Sequence, residues 1–203
     1  MVTALPQQKY TLDEYFELEK NSEEKFEYWE GNVWSMSGAS PVHERVVVNA
    51  GGHLRELLRG LKCSVFGSNL KVKVPVYSPY RYPDLSAHCG EGIYEKMGGL
   101  EVLTNPQLII EVLSPSTEAF DRGDKFSYYK SIPSFTEYIL IATNRPNITQ
   151  FIKRSESEWV QREATGMESS LSLAAFDIEF LLSEVFLDVE FPEPPKNLFL
   201  VGR

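Results

Sequence analysis

The segment Asn105-Pro106-Gln107-Leu108-Ile109-Ile110-Glu111-Val112-Leu113 constrains the fold more than any other part of the chain. Leu108, Ile110 and Val112 alternate with Ile109, Glu111 and Leu113, so both faces are apolar apart from one acid. Such a strand belongs inside a sheet covered on both sides. A carboxylate there is expensive, because removing an unpaired charge from water costs several kcal/mol. Glu111 therefore needs a metal ion, a buried lysine or arginine, or the edge of the sheet. A structural salt bridge is the plain alternative to a catalytic role.

Two further groups favour the chemical reading. Tyr82-Pro83-Asp84-Leu85 sets an acid directly after a proline, at the start or edge of a strand. Taken alone, Pro-Asp is usually a turn. With Glu111 it forms a candidate pair of carboxylates, the donors that magnesium takes along with waters and a substrate phosphate. An ion so held activates water and stabilises the charge on a phosphodiester under attack. Downstream, Ser114-Pro115-Ser116-Thr117 ends the Glu111 strand and caps a helix reaching about Ile132. Asp121 and Lys125 share a face of it, four residues apart, with Tyr128 one turn on. An exposed ion pair is the bland reading. A helix folding back over the end of the strand would instead bring Lys125 to where a lysine orients water or neutralises transition-state charge. Phe126, Tyr128 and Tyr129 read as core packing. His43 reads as a phosphate or metal contact or as an ordinary satisfied histidine, whereas His53 and His88 read as structural.

The remaining pattern describes one α/β (α+β) domain spanning residues 1–203, with its core over about 9–187 and an irregular, proline-rich tail at 188–203. Thr11-Leu12-Asp13-Glu14 has capping-box spacing. FEYWEGNVWSMS reads as a hairpin turning at Glu30-Gly31-Asn32, and Ser40-Pro41 opens a helix that stops near Gly60. SVFG, LKVKVPV, YPDLSAH, TEYILIA, NITQFIKR and EWVQRE are strand candidates. Residues 90–106 read as a loop or lid, and IEFLLSEVF as a last helix. A strand–helix–strand step flanked by antiparallel strands implies a mixed sheet with helices on its faces.

Composition narrows the setting. The start MVTALPQQ lacks a basic stretch followed by an apolar one, and no apolar run nears the roughly 18 residues of a membrane helix. A cytoplasmic protein without membrane contact is expected. Cys63 and Cys89 form no CxxC pair and are expected to be reduced thiols. The net charge of −9 opposes a nucleic-acid partner, but it is unevenly spread. Residues 57–83 hold Arg59, Lys62, Lys71, Lys73 and Arg81 and no acid. That stretch would present a cationic face to DNA, unless it is ordinary fluctuation along a solvated surface.

Taken together, Pro83-Asp84, EVLSPST at 111–117, Asp121 with Lys125 and Tyr128-Tyr129, and EYILI at 137–141 resemble the Uma-type restriction endonuclease family. FEYWEGNVWSMSGASPVHERVVVNAGGHL is similar to that family's N-terminal motif, and the resemblance runs from about residue 9 to 187. The family is abundant in cyanobacteria and is placed in the PD-(D/E)XK nuclease superfamily. The resemblance implies a restriction-endonuclease-like mixed sheet of four or five strands flanked by helices. It also implies cleavage of DNA with Mg2+ or Mn2+. Asp84 and Glu111 match the metal-binding acids. The superfamily's lysine stands two residues after the second acid, where this chain has Leu113; the resemblance implies that Lys125 from the next helix takes its role, with Lys71 or Lys73 in reserve. Glu27 matches an additional upstream acid. A homodimer is expected, since two-fold symmetry suits cleavage of two strands. An inactive nuclease-fold module that binds nucleic acid or protein, or a hydrolase of another phosphate ester, stays open as an alternative.

Overall fold

The computed structural model describes residues 2–4, 9–36, 38–76, 80–97 and 99–191. In chain order the elements are β1 (Val2–Ala4), α1 (Leu12–Lys20), β2 (Phe26–Trp29), β3 (Asn32–Met36), α2 (Pro41–Leu57), β4 (Cys63–Gly67), β5 (Lys71–Lys73) and β6 (Tyr80–Arg81). They continue with β7 (Leu85–Cys89), β8 (Tyr94–Met97), β9 (Leu100–Leu103) and β10 (Leu108–Val112). A helical segment follows as α3 (Glu118–Phe120), a π turn (Asp121–Lys125) and α4 (Phe126–Tyr129). The last elements are β11 (Glu137–Ile141), β12 (Asn147–Lys153), β13 (Trp159–Thr165), β14 (Ser170–Leu173), β15 (Ile178–Leu181) and α5 (Leu182–Val185).

The Glu111 strand lies inside a six-stranded mixed sheet ordered β13-β12-β11-β10-β7-β4, one strand larger than the upper expectation. Only β10 and β11 run parallel, and the helical segment makes their crossover. Each face of β10 buries its own cluster. Leu108, Ile110 and Val112 meet Val46, Ala50 and Leu54 of α2, whose spacing of four residues sets one helical stripe on the sheet. Ile109 and Leu113 meet Phe126, Tyr129, Phe135 and Tyr138 on the opposite face. Because side chains alternate along a strand, Glu111 projects into this second, aromatic layer.

A separate aromatic cluster under α1 and the β2–β3 hairpin contains Tyr15, Phe26, Val33, Tyr80 and Val102. Helix α1 begins with the expected capping box: the Thr11 hydroxyl accepts from Glu14 N (3.2 Å), and the Glu14 carboxylate accepts from Thr11 N (2.7 Å). The hairpin turns in two residues with positive φ, Glu30 at 45° and Gly31 at 81°. That is the two-residue turn whose twist matches paired strands. Ser40 caps α2 and Pro41 occupies its first turn, as expected.

Several expectations are corrected. Tyr94–Met97 and Leu100–Leu103 pair as the β8–β9 hairpin of a four-stranded sheet rather than forming a loop or lid, and Gly99 before β9 has φ 87°. Ile178–Leu181 pairs with β14, leaving a single helical turn at Leu182–Val185. The Ser114 hydroxyl lies 3.1 Å from that of Ser116 and 2.9 Å from that of Thr117, and Thr117 makes no side-chain cap.

Cys63 and Cys89 are joined in a disulfide, not reduced. They face each other across β4 and β7, and the bond from Gly90 N to Lys62 O makes theirs the closer, non-hydrogen-bonded type of pair. Their separation of 26 residues hides this neighbourhood from the sequence. The cations of residues 57–83 do not all reach one face, although Lys62 is exposed. Lys71 is buried against Glu19, Arg81 is buried, Lys73 pairs with Glu95 at 2.5 Å, and Arg59 pairs with Glu56. Most of the tail, residues 192–203, lies outside the described residues. No helix among the described residues is long and apolar enough to cross a membrane.

Candidate active site

Strands β7 and β10 pair antiparallel with Leu85 opposite Ile110, so the next step brings Asp84 opposite Glu111. Pro83 lacks the N–H that would extend the ladder, and Asp84 turns its own groups to β10 instead. Asp84 N lies 3.4 Å from Glu111 Oε2, and Asp84 Oδ2 accepts from Val112 N at 2.7 Å. The two acids thus stand side by side at the end of the sheet.

Lys125 reaches them from the crossover. Its Nζ lies 2.9 Å from Glu111 Oε1 and 3.3 Å from Asp121 Oδ1. Asp121 and Lys125 are the first and last residues of the π turn, which replaces the continuous α-helix expected there. Leu113 lies on the same face as Glu111 but is buried in the aromatic layer. The place beside the acid is filled by Lys125 rather than by a lysine on the strand. Lys71 and Lys73, engaged with Glu19 and Glu95, take no part.

Glu27 faces the same cleft from the β2–β3 hairpin, its Oε1 accepting from Tyr82 N at 3.1 Å and its Oε2 lying 3.8 Å from Arg81 Nη1. The cleft has a volume of about 1130 Å³ and is lined by Asp84, Glu111, Lys125 and Glu27 alike. His43, in the first turn of α2, also lines it, with Nε2 3.4 Å from Asp84 Oδ2. The fold therefore brings together all four acid and lysine candidates, with His43 beside them. Two contributors were missed. Tyr129 donates its hydroxyl to Glu111 Oε1 at 2.8 Å, although its position in an aromatic stripe signals only packing. Arg81, three residues before Asp84, lines the cleft as a buried cation.

Burial pushes the Glu111 carboxyl up to about 8; Lys125 opposes the shift, and the Asp84 and Asp121 carboxylates add to it. Burial alone would lower the Lys125 ammonium, but Glu111 and Asp121 hold it well above its ordinary range, so it stays protonated. Burial likewise pulls the His43 imidazole down, while the hydrogen bond and charge of Asp84 turn the balance upward.

These groups suit a hard cation. Among the described residues no three His, Cys, Asp or Glu side chains gather closely enough to enclose an ion. Asp84 and Glu111 instead offer two carboxylates at an open cleft, a set that magnesium accepts when waters and a substrate phosphate complete its shell. A cation there would also reverse the unfavourable environment of a charged Glu111.

The mixed sheet, its crossover helix and the acid pair at the strand ends define a restriction-endonuclease-like nuclease fold. A solved structure from Anabaena variabilis ATCC 29413, titled as that of a "putative nuclease belonging to DUF820", superposes with a TM-score of 0.68. It is 16% identical, and the match covers 87% of this chain and 97% of that one. The chain belongs to the Uma2 family, whose model, described as "Putative restriction endonuclease", matches residues 12–189. Two relatives from Synechocystis sp. (strain ATCC 27184 / PCC 6803 / Kazusa) are each 29% identical to it. "Uncharacterized protein slr1290" aligns over 92% of this chain and 96% of its own length, and "Uncharacterized protein sll1609" over 83% and 94%.

Proposed function

We propose that this chain is a divalent-metal-dependent endonuclease that hydrolyses phosphodiester bonds of nucleic acid, with DNA as the substrate. The family supports nuclease-like function. The observation that carries the reading further is the pairing of Asp84 with Glu111 at the mouth of the cleft, with Lys125 held 2.9 Å from Glu111. Asp84 and Glu111 are the residues to hold Mg2+ or Mn2+. When bound, the ion supplies a water acidic enough to attack at neutral pH and stabilises charge on the phosphoryl oxygens.

The chain's own groups do the rest. Lys125 keeps its proton and neutralises charge that develops beside Glu111. Tyr129 and Lys125 together fix the Glu111 carboxylate, so it is oriented before substrate arrives. Val112 N holds Asp84 in the same way. Glu27 is the candidate for the family's upstream acid, and its role would be to orient a water. A homodimer acting in the cytoplasm completes the proposal, with one cleft for each strand.

The test is calorimetric titration of magnesium and manganese into the wild type, Asp84→Asn and Glu111→Gln, beside a plasmid-nicking assay that includes Lys125→Met. Metal binding is expected to fail in both acid variants, and nicking in all three. Folded protein that binds neither metal would end the proposal. Binding without nicking would move the reading to another phosphate ester or to an inactive module.

A further inference from the structure

Six acids line the cleft: Glu27, Glu44, Asp84, Glu111, Asp121 and Asp124. Three permanent cations face them. Lys125 is engaged by two carboxylates, and Lys25 by the carbonyl and hydroxyl of Ser68. Arg81 differs from both. It is 1% exposed, yet its Nε and Nη2 have no hydrogen-bond partner among the described residues. Only Nη1 is engaged, donating to Tyr28 O at 3.0 Å with Glu27 Oε2 at 3.8 Å.

Leaving charged donors unpaired in the interior is costly, and native proteins rarely do so without a reason. The aromatic setting accounts for the charge without satisfying the N–H groups. The guanidinium carbon lies 5.4 Å from the ring centre of Trp29, 5.7 Å from that of Phe120 and 5.6 Å from that of Tyr128. Cation–π contacts of this kind hold the guanidinium in place while leaving its edge free to donate. The edge formed by Nε and Nη2 is the pair of parallel donors that matches two oxygens of a phosphate.

We infer that Arg81 is the phosphate-binding group of this cleft, using Nε and Nη2 to grip an anionic phosphodiester oxygen pair of the strand lying across Asp84 and Glu111. The inference rests on the reading that the cleft receives a phosphodiester, and it makes Arg81 a positioning group for that substrate. Trp29 and Phe120 line the cleft and are only partly buried, so they are the side chains that yield as the anion arrives. So acidic a cleft would admit a polyanion because a metal ion held at the acid pair and the free edge of this guanidinium would offset the carboxylates locally.

The experiment follows the Arg81 Nε–H resonance of the 15N-labelled wild type, assigned by its absence from Arg81→Lys. Three probes are titrated in without divalent metal: inorganic phosphate, a short oligothymidylate, and the same oligomer with uncharged methylphosphonate linkages. The resonance is expected to move with phosphate and with the oligothymidylate, and to stay still with the uncharged oligomer. Arg81→Lys keeps the charge but loses the fork, so in protein shown to be folded its oligothymidylate affinity should fall roughly tenfold to a hundredfold. Movement with phosphate alone would uphold the anion site and remove the nucleic acid as its occupant. A resonance unmoved by both charged probes would overturn the inference, whatever the nicking assay gives. Undiminished affinity in folded Arg81→Lys would overturn it as well.

Discussion

Replacing Lys125 with methionine isolates the electrostatics of the site, because the aliphatic stem survives and the charge does not. Glu111 and Asp121 are each 3% exposed, with oxygens 2.9 and 3.3 Å from the lost nitrogen. Removing one partner of a buried ion pair costs about 3–5 kcal/mol, a large part of the roughly 5–15 kcal/mol that holds a domain together. With a urea m value of about 2 kcal/mol per M, the unfolding midpoint at pH 8 should fall by roughly 1.5–2.5 M. Divalent metal must be chelated throughout, since a cation would stand in for the ammonium.

The pH dependence has a definite sign. Burial already raises the Glu111 carboxyl from an ordinary 4.5 to about 8, and Lys125 is the chief force against that shift. Without Lys125 the folded state holds the Glu111 proton more tightly still. A carboxyl raised in the folded state contributes stability that is complete below its unfolded value and is lost as pH rises through its folded value. The deficit of Lys125→Met should therefore shrink between pH 8 and pH 5. Adding Glu111→Gln to the variant should recover stability at pH 8, because glutamine is neutral without taking up the proton that the buried carboxyl must acquire at that pH. A midpoint shift below about 0.5 M at pH 8, unchanged at pH 5, would refute the buried-charge reasoning, since it would match a surface ion pair instead.

Two further outcomes follow from other parts of the fold. His53 Nε2 accepts from Leu181 N at 3.1 Å, and burial lowers its pKa. Its contribution is complete above the ordinary value of 6.5 and is lost as pH falls through the folded value, so His53→Gln should flatten that component in urea melts between pH 7.5 and 5; identical pH profiles for the two proteins would count against it. Gly31 has φ 81°, and an added Cβ would lie 2.9 Å from Lys9 Cδ and 3.4 Å from Tyr10 O. Gly31→Ala should cost about 1–2 kcal/mol in denaturant melts, and a neutral result would mean that the hairpin turns by another route.

The acid pair and its lysine were legible because each contradicts its surroundings or falls on a periodic face. Glu111 interrupts an apolar strand, Asp84 follows a proline, and Lys125 lies four residues from Asp121. Those signals are local. Tyr129 was not legible as a site residue, because an aromatic stripe looks the same whether or not one hydroxyl finds a carboxylate. The β8–β9 hairpin was read as a loop because its glycine pair and Asn105-Pro106 resemble loop signals when no partner strand is known.

Sequence alone determined the strand that must be interior, the acid that cannot be left there uncompensated, the capping box of α1 and the turn at Glu30-Gly31. All follow from side-chain period, backbone preference or desolvation, and none needs a distant neighbour. Tertiary structure decided everything that depends on which strands pair and how they are registered. It joined Cys63 to Cys89, spent Lys71 and Lys73 on Glu19 and Glu95, and set Lys125 rather than a strand lysine beside Glu111. It also left the edge of Arg81 without a partner among the described residues, beside three aromatic rings. A charge is visible in a sequence, but the partner that spends it comes from residues tens of positions away, and only the folded chain brings them within bonding distance.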